Sequence, residues 1–499
     1  MSFFKKFIKR GDAITVEHDQ PSTLTSNNTS YEHHQQNGHQ KTTLIPTASH
    51  SVSEADFSFS TLAICSDRKV EKVSDIAPPI HLSTTYSMDS DVSDGMIYSR
   101  VHNKTRSRLE AVIANLEGSN DFKSVTFSSG QAATSTLLFT LRPKRIFKRM
   151  VENSEGGSSE DEAGYAGTKD SMATLRAFAN FYCGLVKKEL LPKIPITMDE
   201  EGKKVDEIIE DHVMKVVDLR KIEEEVDMEQ VMQKQDLSSN SKGLYKGDVI
   251  WLETPLNPTC DLTDIEYYVK IAHQMGALVV VDSTFASPAL QQPLMIGADF
   301  ALHSTTKFMG GHSDCLGGCV TTKSNGYASS LKSNRSILGC VMGNLEAYLL
   351  LRSLRTLQVR VLHQSQTAEV VAKWLQSQIG NEETNMQVIR VHYPNLEPFS
   401  EQDTTEKKKL SNYEICQKQM NGKGPGILSF ELKTVEGSRT LPTLLEIIEH
   451  ATSLGGVESC IDYRHQWDKS TSSTLLRLSI GLESPKDLIA DLKTALLKL

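Results

Sequence analysis

Two kinds of apolar pattern alternate along the middle of this chain. Residues 249–252, 278–281 and 300–302 are runs that are apolar at every position and rich in β-branched or aromatic side chains. Such runs predict strands buried on both faces of a parallel sheet, since a half-exposed strand would alternate polar and apolar. Between the first two runs, Ile265, Tyr268, Val269, Ala272 and Met275 recur at helical spacing, and Thr263-Asp264-Ile265-Glu266 has the spacing of a capping box. Strand 249–252, this helix and strand 277–281 therefore predict a right-handed βαβ unit. The fold class expected is α/β with a mostly parallel sheet flanked by helices.

Polar positions at the ends of these strands carry the candidate chemistry. Asp282 closes one run, and Ser304, Thr305, Thr306 and Lys307 directly follow another. Ligands of open α/β sheets bind at the carboxyl ends of the strands, so an acid, hydroxyls and an amine should meet in one crevice. Taken singly, each has an ordinary alternative: most lysines are solvated, and an aspartate before Ser283-Thr284 can simply cap a turn. Together they suit a carbonyl cofactor that bears a phosphate and a ring nitrogen, pyridoxal 5'-phosphate (PLP). A carboxylate about 4 Å from the ring nitrogen, at an effective dielectric of about 20, contributes on the order of 4 kcal/mol, enough to keep that nitrogen protonated at neutral pH.

Other stretches do not read as core. The first 56 residues are a polar tail dominated by Ser, Thr, Asn, Gln and His after a short basic opening. Residues 152–162 form an acidic, Gly/Ser-rich loop, and residues from about 187 to 246 are dense in charge. Within the latter, Leu219, Ile222 and Val226 lie at helical spacing, which predicts an exposed helix packing one narrow stripe. A third polar, loop-like stretch runs from about 393 to 419. The chain has 499 residues, 38% of them hydrophobic, which is enough for two or three domains. A net charge of -9 gives no reason to expect nucleic acid as partner. The eight cysteines lack paired spacing and no apolar stretch approaches membrane-spanning length, so a cytoplasmic protein with neither disulfides nor a metal site is expected.

Several separated motifs carry a resemblance. Val281-Asp282-Ser283-Thr284-Phe285-Ala286-Ser287-Pro288 and Ser304-Thr305-Thr306-Lys307-Phe308 are similar to the transsulfuration (Cys/Met metabolism) family of PLP-dependent enzymes. So are Tyr98-Ser99-Arg100 at the head of a helix, Phe127-Ser128-Ser129-Gly130-Gln131, Glu253-Thr254-Pro255-Leu256-Asn257-Pro258, Ser453-Leu454-Gly455-Gly456 and Leu476-Arg477-Leu478-Ser479. The wording of Gly343-Asn344-Leu345-Glu346 and Leu351-Arg352-Ser353-Leu354-Arg355-Thr356 most resembles a fungal branch of cystathionine β-lyases. The resemblance implies an aspartate-aminotransferase-like fold. Its parts would be an arm at 57–115, a large PLP domain at 116–324 with insertions near 150–163 and 187–246, and a smaller C-terminal α/β domain at 325–499 with an insertion near 393–419.

The same resemblance implies roles. Lys307 would hold the PLP aldehyde and take the substrate's Cα proton, and Asp282 would pair with the ring nitrogen. Gly130 and Gln131 would offer backbone amides to the phosphate, with Ser304 and Thr306 adding hydroxyls. Tyr165 would stack on the ring and assist proton transfer. Asn257 would support the phenolic oxygen and the substrate, with Ser453 nearby, and Arg477 would clamp the α-carboxylate with its planar fork. Tyr98 and Arg100 would reach the phosphate of a neighbouring subunit, which implies a homodimer at least, within a homotetramer.

Reaction type is less sharply written. Enzymes acting at Cγ often carry a glutamate before the Ser-Leu-Gly-Gly motif, where this chain has Thr452, and an arginine five positions after the stacking tyrosine, where it has Asp170. Asp170 would instead receive the distal ammonium of cystathionine. The reading is thus β-elimination of L-cystathionine to homocysteine, pyruvate and ammonia. Cystathionine γ-lyase, a γ-synthase or homocysteine synthase, and a non-catalytic scaffold are the alternatives.

Overall fold

The computed structural model describes residues 57–68, 70, 74–87, 96–143, 145–148, 215–219, 246–384, 387–397 and 410–499. The predicted apolar runs become strands of a seven-stranded sheet. In chain order its strands are β1 (Lys123–Phe127), β2 (Arg145–Lys148), β3 (Lys215–Asp218), β4 (Val249–Glu253), β5 (Leu278–Asp282), β6 (Phe300–His303) and β7 (Gly318–Thr322). Their spatial order is β1-β7-β6-β5-β4-β2-β3. Every pair from β3 to β6 is parallel, and β7 runs antiparallel to both β6 and β1. Glu253 stands opposite Asp282, and Asp282 opposite Leu302, so the ends of β4, β5 and β6 lie side by side.

Helices cover the sheet. Among the described residues those before β4 are α1 (Phe59–Cys65), α2 (Lys104–Leu116) and α3 (Gly130–Leu141). Asn103 caps α2, its side chain accepting from the amides of Thr105 and Arg106. Tyr98 and Arg100 precede that helix rather than opening it, Tyr98 lying in an isolated bridge with Thr85. Between β4 and β5 runs α4 (Ile265–Gln274), which buries Ile265, Tyr268, Val269 and Ala272 against the sheet, with Met275 partly buried beside them. Its N-cap is Asp264, accepting from the Tyr267 amide at 3.3 Å, whereas the capping-box spacing pointed to Thr263. The Thr263 amide is engaged elsewhere, donating to Thr254 Oγ1.

Two stretches read as polar elaborations contribute to the folded core. Lys215–Asp218 is an edge strand parallel to β2, and Leu219 directly after it is buried with Phe147, Ile250 and Leu252. Leu219 thus ends a strand instead of lying on a helical stripe; Ile222 and Val226 fall outside the described residues. A lone strand at a sheet edge is specified by its neighbour's ladder, which local periodicity does not reveal. The stretch near 393–419 ends in a helix, Asn412–Met420, with a true capping box between Ser411 and Glu414 and with Ile415, Cys416 and Met420 buried.

A second, five-stranded sheet lies C-terminal to the first. Its strands are β8 (Val388–His392), β9 (Ile427–Leu432), β10 (Glu449–His450), β11 (Cys460–Tyr463) and β12 (Leu475–Ser479), in the order β10-β11-β12-β9-β8. All its pairs are antiparallel except β10 with β11. Leu428, Phe430, Leu476 and Leu478 pack with residues of the long helix Leu357–Ser377 and the terminal helix Pro485–Leu496.

Candidate active site

Eight of the residues singled out from the sequence line one cavity of about 520 Å³: Gly130, Gln131, Asn257, Asp282, Ser304, Thr306, Lys307 and Arg477. Its floor is the margin of the first sheet, where β5 and β6 end. Asp282 Oδ1 accepts from the amide of Thr284 at 3.1 Å and from its hydroxyl at 2.6 Å. The Thr284 hydroxyl oxygen in turn accepts from the Ser304 amide at 2.9 Å. This chain ties the ends of β5 and β6 together and fixes the carboxylate's orientation.

Lys307 sits in the turn between β6 and β7. The Gly311 amide donates to the Lys307 carbonyl and the Gly310 amide to the Thr305 carbonyl, each at 2.7 Å. Arg360, buried on the long helix Leu357–Ser377, donates to the Phe308 carbonyl at 2.9 Å and to Ser353. Gly455, at φ +76, lies against the same turn: a Cβ there would stand 2.6 Å from the Phe308 nitrogen. The Ser-Leu-Gly-Gly motif is thus a packing partner of the lysine turn, which explains its glycine.

The start of helix α3 also lines the cavity. Helix α3 begins at Gly130, capped by Ser129, whose hydroxyl accepts from Ala132 N at 3.0 Å. The first-turn amides of a helix carry partial positive charge and lack intrahelical acceptors, so they suit a phosphate. A Cβ on Gly130 would stand 3.1 Å from Ser304 Oγ, so the glycine lets the helix start approach the serine closely. Thr306 Oγ1 exchanges hydrogen bonds with the Gly317 backbone at 3.1–3.3 Å, which holds the β6–β7 turn closed.

The C-terminal sheet supplies a guanidinium. Arg477 on β12 stands directly opposite Asp462 on β11. Its Nη1 donates to Asn257 Oδ1 at 3.1 Å, and its Nη2 to the Thr452 carbonyl at 2.5 Å and to Asp462 Oδ2 at 3.3 Å. Burial brings its pKa down to about 10, with Arg464 pushing the same way and Asp462 opposing, so it remains a cation at neutral pH.

The remaining candidates fall elsewhere. Thr452 and Leu454 line the cavity but Ser453 does not, as expected where successive side chains of an irregular, extended stretch point apart. Tyr98 and Arg100 lie outside this cavity; Tyr98 is 44% exposed and the Arg100 guanidinium lies over its ring. Tyr165 and Asp170 lie outside the described residues. The structure adds lining residues that sequence reasoning gave no role, Thr284 and Glu253 within the motifs and Arg464 and Trp467 outside them, with Asp462 behind the last two. The available signal was Ile461-Asp462-Tyr463-Arg464, a charge inside an otherwise apolar strand and a second charge directly after it. A larger cavity of about 590 Å³, lined by Tyr393 and Asn412 among others, contains no lysine. Among the described residues no group of His, Cys, Asp and Glu is arranged to hold a metal, and no helix is long and apolar enough to cross a membrane.

Comparison with known proteins gives a consistent answer. The family model for Cys/Met metabolism PLP-dependent enzymes matches residues 60–147 and 212–497, with Tyr165 and Asp170 between the matched stretches. The chain is 30% identical over 431 residues to a cystathionine gamma-lyase of Dictyostelium discoideum, an alignment covering 84% of this chain and 92% of the relative. It is 32% identical over 433 residues to the cystathionine beta-lyase MetC of Bacillus subtilis, covering 84% and 91%. Among solved structures, a methionine gamma lyase from Micromonospora echinospora superposes with a TM-score of 0.66 at 28% identity, covering 88% of this chain and 99% of that one.

Proposed function

This chain is a PLP-dependent carbon-sulfur lyase of the Cys/Met metabolism family, with the aspartate-aminotransferase-like fold and a smaller C-terminal domain, and we propose that its reaction is β-elimination of L-cystathionine. The products are homocysteine, pyruvate and ammonia. The observation that carries the lyase reading is the convergence of Lys307, Asp282 and Arg477 on one cavity. The β preference is supported by Thr452, a cavity-lining residue whose uncharged side chain stands where enzymes acting at Cγ often carry a glutamate. The wording of residues 343–346 and 351–356 supports placing the chain near the fungal cystathionine β-lyases.

The residues present fit PLP: a helix N-terminus with a glycine for the phosphate, a fixed carboxylate for the ring nitrogen, and an amine lining the same cavity. When bound, PLP supplies the electron sink that makes the substrate's Cα proton removable. The Gly130 and Gln131 amides, with Ser304 and Thr306, hold the phosphate. Asp282, oriented by Thr284, keeps the proton on the ring nitrogen. Arg477 orients the α-carboxylate and Asn257 fixes the arginine's plane. Lys307 Nζ takes the Cα proton and, as an ammonium, delivers it toward the departing thiolate. We assign ring stacking to Tyr165 and the distal ammonium to Asp170 on their sequence context.

Tyr98 and Arg100 complete a neighbouring subunit's site in this proposal, which makes the protein a homodimer at least. Their position outside their own cavity supports it. Cytoplasmic location is supported by the free thiols of Cys65, Cys260, Cys315, Cys319, Cys340, Cys416 and Cys460; a fluorescent fusion of the full chain concentrated in an organelle would remove that part.

The test is incubation of the holoenzyme with L-cystathionine and identification of the keto acid. Pyruvate is expected; 2-oxobutyrate would replace the reading by γ-elimination. Lys307→Ala should lower turnover by at least about 10³-fold. A variant with near-normal turnover would end the assignment.

A further inference from the structure

Arg464 is a second buried guanidinium on the cavity wall, and the proposed mechanism gives it no task. It opens the short 3₁₀ turn Arg464–Gln466 after β11 and is 9% exposed. Its Nη1 donates to Asp462 Oδ2 at 2.9 Å, while its Nε is buried without a hydrogen-bond partner. The same Asp462 oxygen accepts from Arg477, and Asp462 Oδ1 accepts from Trp467 Nε1 at 3.2 Å. One carboxylate therefore serves two guanidinium groups at this wall.

Their positions differ in one respect that decides their roles. Arg477 meets Asn257, Thr452 and Asp462, so its fork is held rigidly in place. Arg464 is held at a single nitrogen. The cavity's other charged lining groups are Asp282, at the end of β5, Glu253, at the end of β4, and Lys307; none of them bonds to Arg464. A buried cation with unmet donors carries a substantial desolvation cost unless a ligand meets them, and a planar guanidinium is best met by a carboxylate.

We propose that Arg464 is a specificity-determining residue that receives a second, distal carboxylate of the substrate, so that the enzyme selects dicarboxylic thioether amino acids over monocarboxylic ones. This rests on the carbon-sulfur lyase reading of the same cavity. Arg477 takes the α-carboxylate, which every amino acid substrate has, and Arg464 distinguishes what lies beyond the sulfur. Trp467, half exposed at the rim, marks the side from which that distal chain enters.

The test compares S-(3-carboxypropyl)-L-cysteine with S-propyl-L-cysteine, which differ only by the distal carboxylate. For the wild-type holoenzyme the ratio of their kcat/KM values should be at least about 30 in favour of the carboxylate, the worth of one buried charge-assisted pair. Arg464→Gln should bring that ratio to about 3 or less, and Arg464→Lys should restore part of it. A role confined to bracing Asp462 and Arg477 would lower both substrates together and leave the ratio intact, which would overturn the proposal. A wild-type ratio near one would overturn it too. Titration of the cofactor's visible band with each compound gives Kd values whose ratio should shift in the same way, and this arm needs no turnover. If no keto acid forms from cystathionine or from either analogue, the lyase reading fails, and the Kd ratio still decides the role of Arg464.

Discussion

Arg477 directs its donors to Asn257, Thr452 and Asp462, and in doing so couples the second sheet to the margin of the first. A buried arginine is tolerable only with such partners, and losing one of them is more damaging than the pair's net stabilisation suggests. Glu431 obeys the same rule away from the site. The hydrogen bond from His392 first, then those from Ser472 and Thr474, hold its carboxyl at about 2 against the opposing effect of burial. Its folded pKa lies below the unfolded value, so its contribution is complete above about pH 5 and is lost as pH falls toward 2. From the difference, that contribution is at most roughly 3 kcal/mol. Glu431→Gln should therefore melt below wild type at about pH 7, with the gap narrowing toward about pH 3. Calorimetry across that range is the measurement, and a gap that stays constant would contradict the linkage.

Elements are placed by contacts that the side-chain pattern only half announces. The buried runs at 249–252, 278–281 and 300–302 were legible as strands because every position is apolar, and α4 was legible from its stripe. The edge strand Lys215–Asp218 and the helix Asn412–Met420 were not, because each is short, lies in a charged or polar stretch and is held by tertiary neighbours. Strand β7 shows how tightly such neighbours meet. A Cβ at Gly318 would lie 2.4 Å from the Ser129 carbonyl oxygen and 2.8 Å from Gly130 Cα, at the start of α3. Gly318→Ala should push the phosphate cradle out of place and weaken PLP binding by at least about tenfold. Equilibrium dialysis against PLP measures this directly, and an unchanged Kd would show that the cradle is not set by this contact.

In the molecule taken entire, the segment holding Tyr98 and Arg100 is largely exposed and bonds to its own chain through Ser336. Beside Tyr98 and Arg100 the apolar side chains of Ile97 and Val101 are exposed, at 50% and 42% of their surface, as is Leu82 at 68%, just before the segment that pairs with Tyr98. Exposed apolar groups beside the two residues proposed to reach another subunit's phosphate fit an interface between copies. Subunits carrying Lys307→Ala and subunits carrying Arg100→Ala should each be nearly inactive alone. After random reassociation, half the dimers are hybrids with one intact site, so activity should recover to about a quarter of wild type. No recovery, from a mixture shown to exchange subunits, would confine Arg100 to its own chain.

Read alone, the amino-acid sequence specifies the sheet's central strands, the acid and amine at their ends, and the family to which these belong. Each of those is a local pattern, written in consecutive residues. The tertiary structure alone decided that Asp462 lies opposite Arg477, that Arg464 joins them on the cavity wall, and that Ser453 turns away while its neighbours do not. Those facts depend on strand register and on which face of a turn meets the cavity. Register is fixed by pairing between segments far apart in the chain, and no local periodicity encodes it.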